Sequence, residues 1–252
     1  MKMRKFGLIG YPLGHSFSKK YFSEKFIHEN ISDCQYENYP LISIDLLDEL
    51  ISNNPDIYGL NVTIPYKSAV IKYLDFIDEE AKSIGAVNVM KLKRSGDKVV
   101  LKGFNTDIDG FRNSILPYLG EKVNNALVLG TGGGAKAVCY VLGKLGINIT
   151  SVDIIKLEGV LNYSEITDNI LINNQLIVNT TPLGMFPDVV RKPDLNYRCL
   201  NKDHILFDLV YNPELTSFLK AGKEQGCNII SGIKMLWGQA EKAWEIWSDE
   251  TL

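Results

Sequence analysis

The sequence predicts an α/β protein of two domains, divided near residue 104. Three observations predict it. Short apolar runs of strand character alternate with helical stretches along the whole chain. In the second half a glycine-rich turn joins a buried strand directly to a helix. And 252 residues amount to between one and two domains, with ample chain for a core. Hydrophobic residues make up 45% and charged residues 23%, while 27 Lys and Arg against 30 Asp and Glu leave a formal charge of −3. Such numbers fit a globular protein and not a disordered chain, a basic polyanion binder or a collagen-like fibre. No apolar run approaches the roughly 18 residues of a membrane span. Gly7, Gly10, Pro12 and Gly14 break up the stretch after the basic residues at 2, 4 and 5, so no signal peptide is expected.

Taken in order, Lys5 to Ile9 reads as a strand, followed by Phe22, Phe26 and Ile27 at helical spacing. Tyr58 to Val62 is the next strand, ended by Pro65. Lys67 to Leu74 and Glu79 to Ile84 read as short helices. Ala86 to Leu92 and Val99 to Phe104 flank Arg94-Ser95-Gly96-Asp97, a polar turn that predicts a hairpin. Asp107 to Leu116 is helical and stops at Pro117. From there the pattern is strand Ala126 to Leu129, helix to about Leu145, then strands Ile149 to Asp153, Leu176 to Asn179, Ile205 to Leu209 and Asn228 to Ser231. This is the βαβ alternation of a parallel sheet. A last helix, Ile233 to Trp247, carries Leu236, Trp237, Ala240, Trp244 and Trp247 on one apolar face.

Cysteines at 34, 139, 199 and 227 have no C-x-x-C spacing, and His15, His28 and His204 are dispersed, so no metal site is expected. Reduced thiols point to a cytoplasmic protein. No serine stands in a G-x-S-x-G elbow, which leaves a hydrolase without support.

Gly130-Thr131-Gly132-Gly133-Gly134-Ala135 fits G-x-G-x-x-A after a strand and at the start of a helix. The first glycine permits the tight turn, and the second lets the backbone approach a pyrophosphate. The small third residue lets helix and strand pack closely, with the helix N–H groups facing the anion. That arrangement predicts a dinucleotide-binding domain. Asp153 follows 18 residues after Ala135, at the end of the second strand, where an acidic residue binds a ribose 2′-hydroxyl. Lys156 is the only nearby cation for a 2′-phosphate, so the residues favour NAD over NADP. A strand-end turn role for Asp153 is the competing reading.

Asn61 to Lys67 ends a strand with polar groups, and Pro65 suits the first turn of a helix. Lys67 is then expected near a positive helix end, where an ammonium is disfavoured and proton transfer is served; a solvated surface lysine is the plain alternative. Gly103 to Asp107 likewise runs from strand to helix, so Asp107 or Thr106 is either an N-cap or, in Asp107's case, a carboxylate able to pair with Lys67. Ser16 and Ser18 place two hydroxyls on a turn, suited to a carboxylated or polyhydroxylated ligand or to a helix cap.

Eight motifs in order resemble the shikimate dehydrogenase family. They are Gly10-Tyr11-Pro12 with His15 to Ser18, Asn61 to Lys67, Gly85-Ala86-Val87-Asn88, Gly103 to Gly110, the glycine loop, Asn179 to Met185, Asp208 to Pro213, and Gly232 with Met235, Leu236, Gln239 and Ala240. The resemblance implies reduction of 3-dehydroshikimate with a nicotinamide cofactor. It implies Lys67 and Asp107 as the catalytic pair, and Ser16, Ser18, Asn61, Thr63, Asn88, Tyr211 and Gln239 as substrate ligands. Gly130, Thr131, Gly132, Gly133, Gly134, Ala135, Asp153, Thr180, Gly232 and Met235 are implied at the cofactor. It also implies a substrate-binding domain over 1–103, with helix 233–252 packed back on it, and a dinucleotide-binding domain over 104–232. A monomer or homodimer without nucleic-acid or membrane partners is expected.

The chain departs from the family at three places. Ser18 is followed by Lys19-Lys20-Tyr21-Phe22-Ser23 rather than Pro-x-x-His-Asn, and Asn179-Thr180-Thr181-Pro182 replaces Asn-Ala-x-Pro. Asp153-Ile154-Ile155 stands where the family has Asn-Arg-Thr, so the family's NADP and this chain's NAD-like residue point different ways. An NAD-using quinate/shikimate dehydrogenase is the near alternative. A methylenetetrahydrofolate dehydrogenase has a comparable plan but not the Ser16, Ser18 and Gln239 motifs. A ligand sensor without chemistry is disfavoured because Lys67 and Asp107 are both present and no DNA-binding element is appended.

Overall fold

The computed structural model describes residues 3–13, 17–96, 98–120 and 123–249. The chain divides into two compact units, Met1–Thr106 with Ala240–Leu252, and Asp107–Gln239. In the first unit the elements are β1 (Arg4–Gly10), α1 (Phe17–His28), β2 (Cys34–Pro40), α2 (Leu47–Asn53), β3 (Ile57–Val62), β4 (Phe76–Ile77), α3 (Glu79–Ile84), β5 (Val89–Ser95) and β6 (Lys98–Phe104). They build a six-stranded sheet ordered β2-β1-β3-β5-β6-β4. β1 runs parallel to β2 and β3, whereas β5 is antiparallel to β3 and β6.

β1 is buried on both faces, as a central strand between two layers must be. Phe6 and Leu8 pack with Phe22, Phe26 and Tyr36, while Ile9 packs with Leu60, Val62, Val70 and Met90. The β5–β6 hairpin pairs out to Ser95 and Lys98, with Asp97 of the expected turn outside the described residues. Its first strand begins at Val89 rather than Ala86, because the Val87 N–H goes to the Lys67 carbonyl at 2.7 Å instead of to a ladder. In α1, Phe22 and Phe26 face inward at an i,i+4 spacing, but Ile27 lies about 100° further around the helix and is 76% exposed.

The second unit contains α4 (Asp107–Ile115), β7 (Asn125–Leu129), α5 (Gly133–Lys144), β8 (Asn148–Val152), α6 (Asp168–Asn173), β9 (Leu176–Asn179), β10 (Ile205–Asp208), α7 (Ser217–Glu224) and β11 (Asn228–Ser231); α8 (Ile233–Ser248) begins there and ends in the first unit. Its five strands are all parallel, in the order β11-β10-β9-β7-β8. From β7 the chain moves outward to β8, then returns to β9 on the other side and continues away. The crevice between the carboxyl ends of β7 and β9 is therefore the topological switch point, the place where such sheets bind ligands.

Helix α8 corrects one expectation. Its apolar face is continuous only from Ala240 through Ala243 to Trp247, which close over Phe6, Phe22 and Tyr36 of the first unit. The Trp247 indole N–H donates to the Met90 carbonyl at 3.0 Å. Trp237, nearer the start of the helix, is 49% exposed and belongs to no buried face. No helix among the described residues is long and apolar enough to cross a membrane.

Candidate active site

In the first unit, strand ends and loops bring a row of polar side chains together. Tyr36 on β2 donates its phenolic proton to Asn61 Oδ1 on β3 at 2.7 Å. Asn61 Nδ2 lies 3.5 Å from the carbonyl of Asn88. The Asn88 side chain in turn holds the start of the next segment: its Oδ1 accepts from the Thr106 N–H at 2.7 Å, and its Nδ2 donates to Thr106 Oγ1 at 3.2 Å. Asn61, Asn88 and Thr106 are all buried, so these bonds replace water that the groups have lost. Ser18, in the first turn of α1, is a hydrogen-bonding neighbour of Tyr36. Burial pushes the Tyr36 phenol well up, and Ser18 opposes this only in part. Ser16 lies outside the described residues.

Lys67 stands half-buried in the same unit, but not in a helix. The expected helix from Lys67 to Leu74 is a 3₁₀ turn over Ala69–Tyr73, preceded by a bend in which the Tyr66 N–H bonds to the Thr63 carbonyl. The Lys67 carbonyl accepts from Val87, and Ser68 Oγ donates to the Gly85 carbonyl at 2.9 Å. The helix-end argument for Lys67 therefore lapses. What holds Lys67 is the strapping of 67–68 to the Gly85–Asn88 loop. Thr63 is fixed through its N–H to the Ile9 carbonyl.

In the second unit, Gly130 follows β7 with φ of 103°, and a Cβ there would lie 2.7 Å from Thr180 Oγ1 at the end of β9. The glycine turn thus sits at the switch point, in contact with Thr180. Thr180 is itself fixed by its N–H and hydroxyl, both donated to the Leu129 carbonyl, at 2.9 and 2.6 Å. α5 starts after Gly132 with no side-chain cap, and a Cβ on Gly132 would meet nothing within 4 Å. Ala135 is buried in its first turns. The uncapped N–H groups and the open approach at Gly132 fit a pyrophosphate.

Asp153 directly follows β8. One carboxylate oxygen accepts from the Thr131 hydroxyl at 2.6 Å and the other from the Ile155 N–H at 3.1 Å. Partial burial raises its pKa, but the hydrogen bonds from Thr131 and the backbone outweigh that, and the group stays below the usual carboxylate range. An anion is thereby fixed beside the glycine turn, a group that accepts from a hydroxyl and repels a phosphate.

A second buried network, which joins the Asn179–Met185 and Asp208–Pro213 motifs, lies at the carboxyl ends of β9 and β10. Asp208, with no exposed surface, accepts from Thr216 Oγ1 at 2.5 Å, Asn179 Nδ2 at 2.9 Å and the Val210 N–H at 3.0 Å. Asn179 Oδ1 accepts from the N–H and hydroxyl of Thr181. Burial pushes the Asp208 carboxyl up to about 7, against the pull of its three donors. This network ties the Thr180 loop to the loop bearing Tyr211, whose phenol burial also raises.

Asp107 is buried and opens α4 from within its first turn, so it is not the N-cap, and its charge suits the positive end of the helix. One turn on, Gly110 lets α8 approach: a Cβ there would lie 2.6 Å from the Met235 carbonyl and 3.2 Å from Gln239 Cβ. Gln239 Nε2 donates to the Leu236 carbonyl at 3.1 Å. Gly232 and Met235 are buried at the start of α8.

The parallel sheet with its glycine turn at the switch point defines a Rossmann-type α/β protein, joined to a mixed-sheet α/β unit with its own polar array. A family model described as the shikimate dehydrogenase substrate binding domain matches residues 8–90. The chain is 38% identical, over 98% of its length and 92% of the relative's, to a shikimate dehydrogenase (NADP⁺) from Methanococcus aeolicus. It resembles the structure of shikimate 5-dehydrogenase from Thermus thermophilus in complex with NADP(H) and shikimate, with TM-score 0.84, 28% identity, and coverage of 98% and 94% of the two chains. The same coverage and TM-score of 0.84, at 26% identity, relate it to a quinate dehydrogenase from Corynebacterium glutamicum in complex with NAD. The chain belongs to the shikimate dehydrogenase family.

Proposed function

We propose that the protein interconverts 3-dehydroshikimate and shikimate with a nicotinamide dinucleotide, and that NAD is its preferred form. The observation that carries the reaction is the relationship over 98% of the chain to a protein named for it. In this reading the first unit, with the end of α8, binds substrate and the second binds the dinucleotide. Ser16, Ser18, Asn61, Thr63, Asn88, Tyr211 and Gln239 hold the carboxylate and hydroxyls of the acid. Lys67, assisted by Asp107, passes a proton to or from the oxygen of the reacting carbon. The nicotinamide, when bound, supplies or accepts the hydride at that carbon. The first turn of α5 would neutralise the pyrophosphate, and Thr180, Gly232 and Met235 would also hold the dinucleotide.

Asp153 supports NAD. Its carboxylate is anchored by Thr131 and Ile155, and a ribose hydroxyl donates to such a group whereas a phosphate is repelled by it. The test is an initial-rate comparison of NAD and NADP with shikimate and with quinate, repeated on Asp153→Asn. NAD is expected to be preferred, and the preference to relax by roughly tenfold in the variant, the scale of one partly exposed charge contact. A wild-type preference for NADP would overturn the cofactor reading. Turnover of neither acid would overturn the function. Faster turnover of quinate than of shikimate would favour the quinate/shikimate dehydrogenase reading, to which Asp153 also lends itself.

A further inference from the structure

We propose that Tyr36 is a positioning residue that sets the hydrogen-bonding polarity of Asn61 and so governs recognition of a substrate hydroxyl. This rests on the proposed role of Asn61 as a substrate ligand.

Asn61 can hold only one orientation. Its amide faces two neighbours, the Asn88 carbonyl at 3.5 Å and the Tyr36 phenol at 2.7 Å. A backbone carbonyl accepts and never donates, so the NH₂ edge of Asn61 must face Asn88. The carbonyl edge then faces Tyr36, which has to be the donor. Tyr36 has one proton, and this contact uses it. The Asn61 N–H not directed at Asn88 is thereby fixed as a donor, suited to an oxygen lone pair of a polyhydroxylated acid.

Tyr36 can impose this because its ring cannot move. It is 2% exposed and stacks on Phe22 with ring centres 4.7 Å apart and an interplanar angle of 13°. Trp247 flanks it with centres 6.3 Å apart. Buried to that extent, the phenol acts through Asn61 rather than on the substrate. Without the hydroxyl, the Asn61 carbonyl would lose its donor, and the amide could rotate and present either edge.

The test is Tyr36→Phe, which keeps the ring and its stacking, measured alone and on an Asn61→Ala background. The KM for shikimate is expected to rise about tenfold, the factor for one lost neutral hydrogen bond, with kcat and the KM for the dinucleotide within about twofold of wild type. On the Asn61→Ala background, Tyr36→Phe should change the shikimate KM by less than about twofold; a larger residual effect would run through Ser18, the other hydrogen-bonding neighbour of the phenol, and would overturn the proposal. An unchanged shikimate KM in Tyr36→Phe would overturn the proposal. So would equal rises in both KM values with a lowered melting temperature, which mark a purely structural residue, or an undiminished effect without Asn61. Wild-type protein that does not oxidise shikimate tells against the function itself; an active wild type with an indifferent Tyr36→Phe tells only against Tyr36.

Discussion

Asp208 makes the stability of the second unit depend on pH in a direction opposite to that of most carboxylates. Its side chain has no exposed surface, and burial raises its pKa to about 7. In the unfolded chain an aspartate titrates near about 3.9. Between those values the folded protein keeps a proton that the unfolded chain has lost, so each unit of rising pH costs about 1.4 kcal/mol of stability. Integrated from below about pH 4 to above about pH 7, this one group contributes a loss of about 4 kcal/mol. The stabilisation is complete below the unfolded value and is gone once pH passes the folded one. Asp208→Asn mimics the neutral acid: its carbonyl can accept from Val210 and Asn179, and its NH₂ can donate to Thr216 Oγ1. Urea melts of both proteins at half-unit steps from about pH 4 to 8 isolate the group, since every other titration is common to the two. The difference between the curves should tilt towards the variant as pH rises and level off near about pH 8. A flat difference would refute the reasoning, because it would mean that the three donors keep the carboxylate ionised throughout.

Lys67→Ala is expected to lose at least about a thousandfold in turnover, with a shikimate affinity within about tenfold of wild type by equilibrium binding; unchanged turnover would remove Lys67 from the chemistry. Trp247→Ala should destabilise the protein by about 3–5 kcal/mol, read from the urea midpoint, since it empties a space among Phe6, Phe22 and Tyr36. Trp247→Phe, which refills most of that space but leaves the Met90 carbonyl without its donor, should cost about 1–3 kcal/mol. Equal losses in the two variants would show that packing is not what Trp247 contributes.

Much of the second unit is legible in the sequence. β9 and β11 match their expected bounds residue for residue; β9 is buried along its whole length, whereas β11 is the edge strand and buries only Ile230 fully. The glycine turn and Asp153 also fall where the spacing puts them. The first unit is less legible. β2 gives no clear signal because Cys-Gln-Tyr-Glu-Asn-Tyr-Pro is an edge strand with polar residues towards solvent, and its period is faint. The segment at Lys67 misleads for a different reason. Proline and an apolar run suggest a helix, but the carbonyl that would begin it belongs to Val87, a partner 20 residues away. Tyr36 and Asp208 are hidden in the same way, since their significance lies in contacts with Asn61 and Asn179 that no local window contains. The buried aspartate does leave one signal, a charged residue closing the apolar run Ile205–Phe207.

The first unit is assembled from two stretches of chain that the second unit separates, with Ala240, Ala243 and Trp247 closing the aromatic layer laid down by Phe6 and Phe22. The ribosome therefore delivers the opening strand of that unit long before the segment that finishes it. Asp107–Gln239, uninterrupted in sequence, is fully synthesised first. Until Ala240–Trp247 has been made, Phe6 and Phe22 lack their cover, an interval in which a nascent chain is open to association with others of its kind. Removal of Ala240–Trp247 consequently bears on the amino-terminal unit, and a fragment that stops at Thr106 lacks part of its own interior.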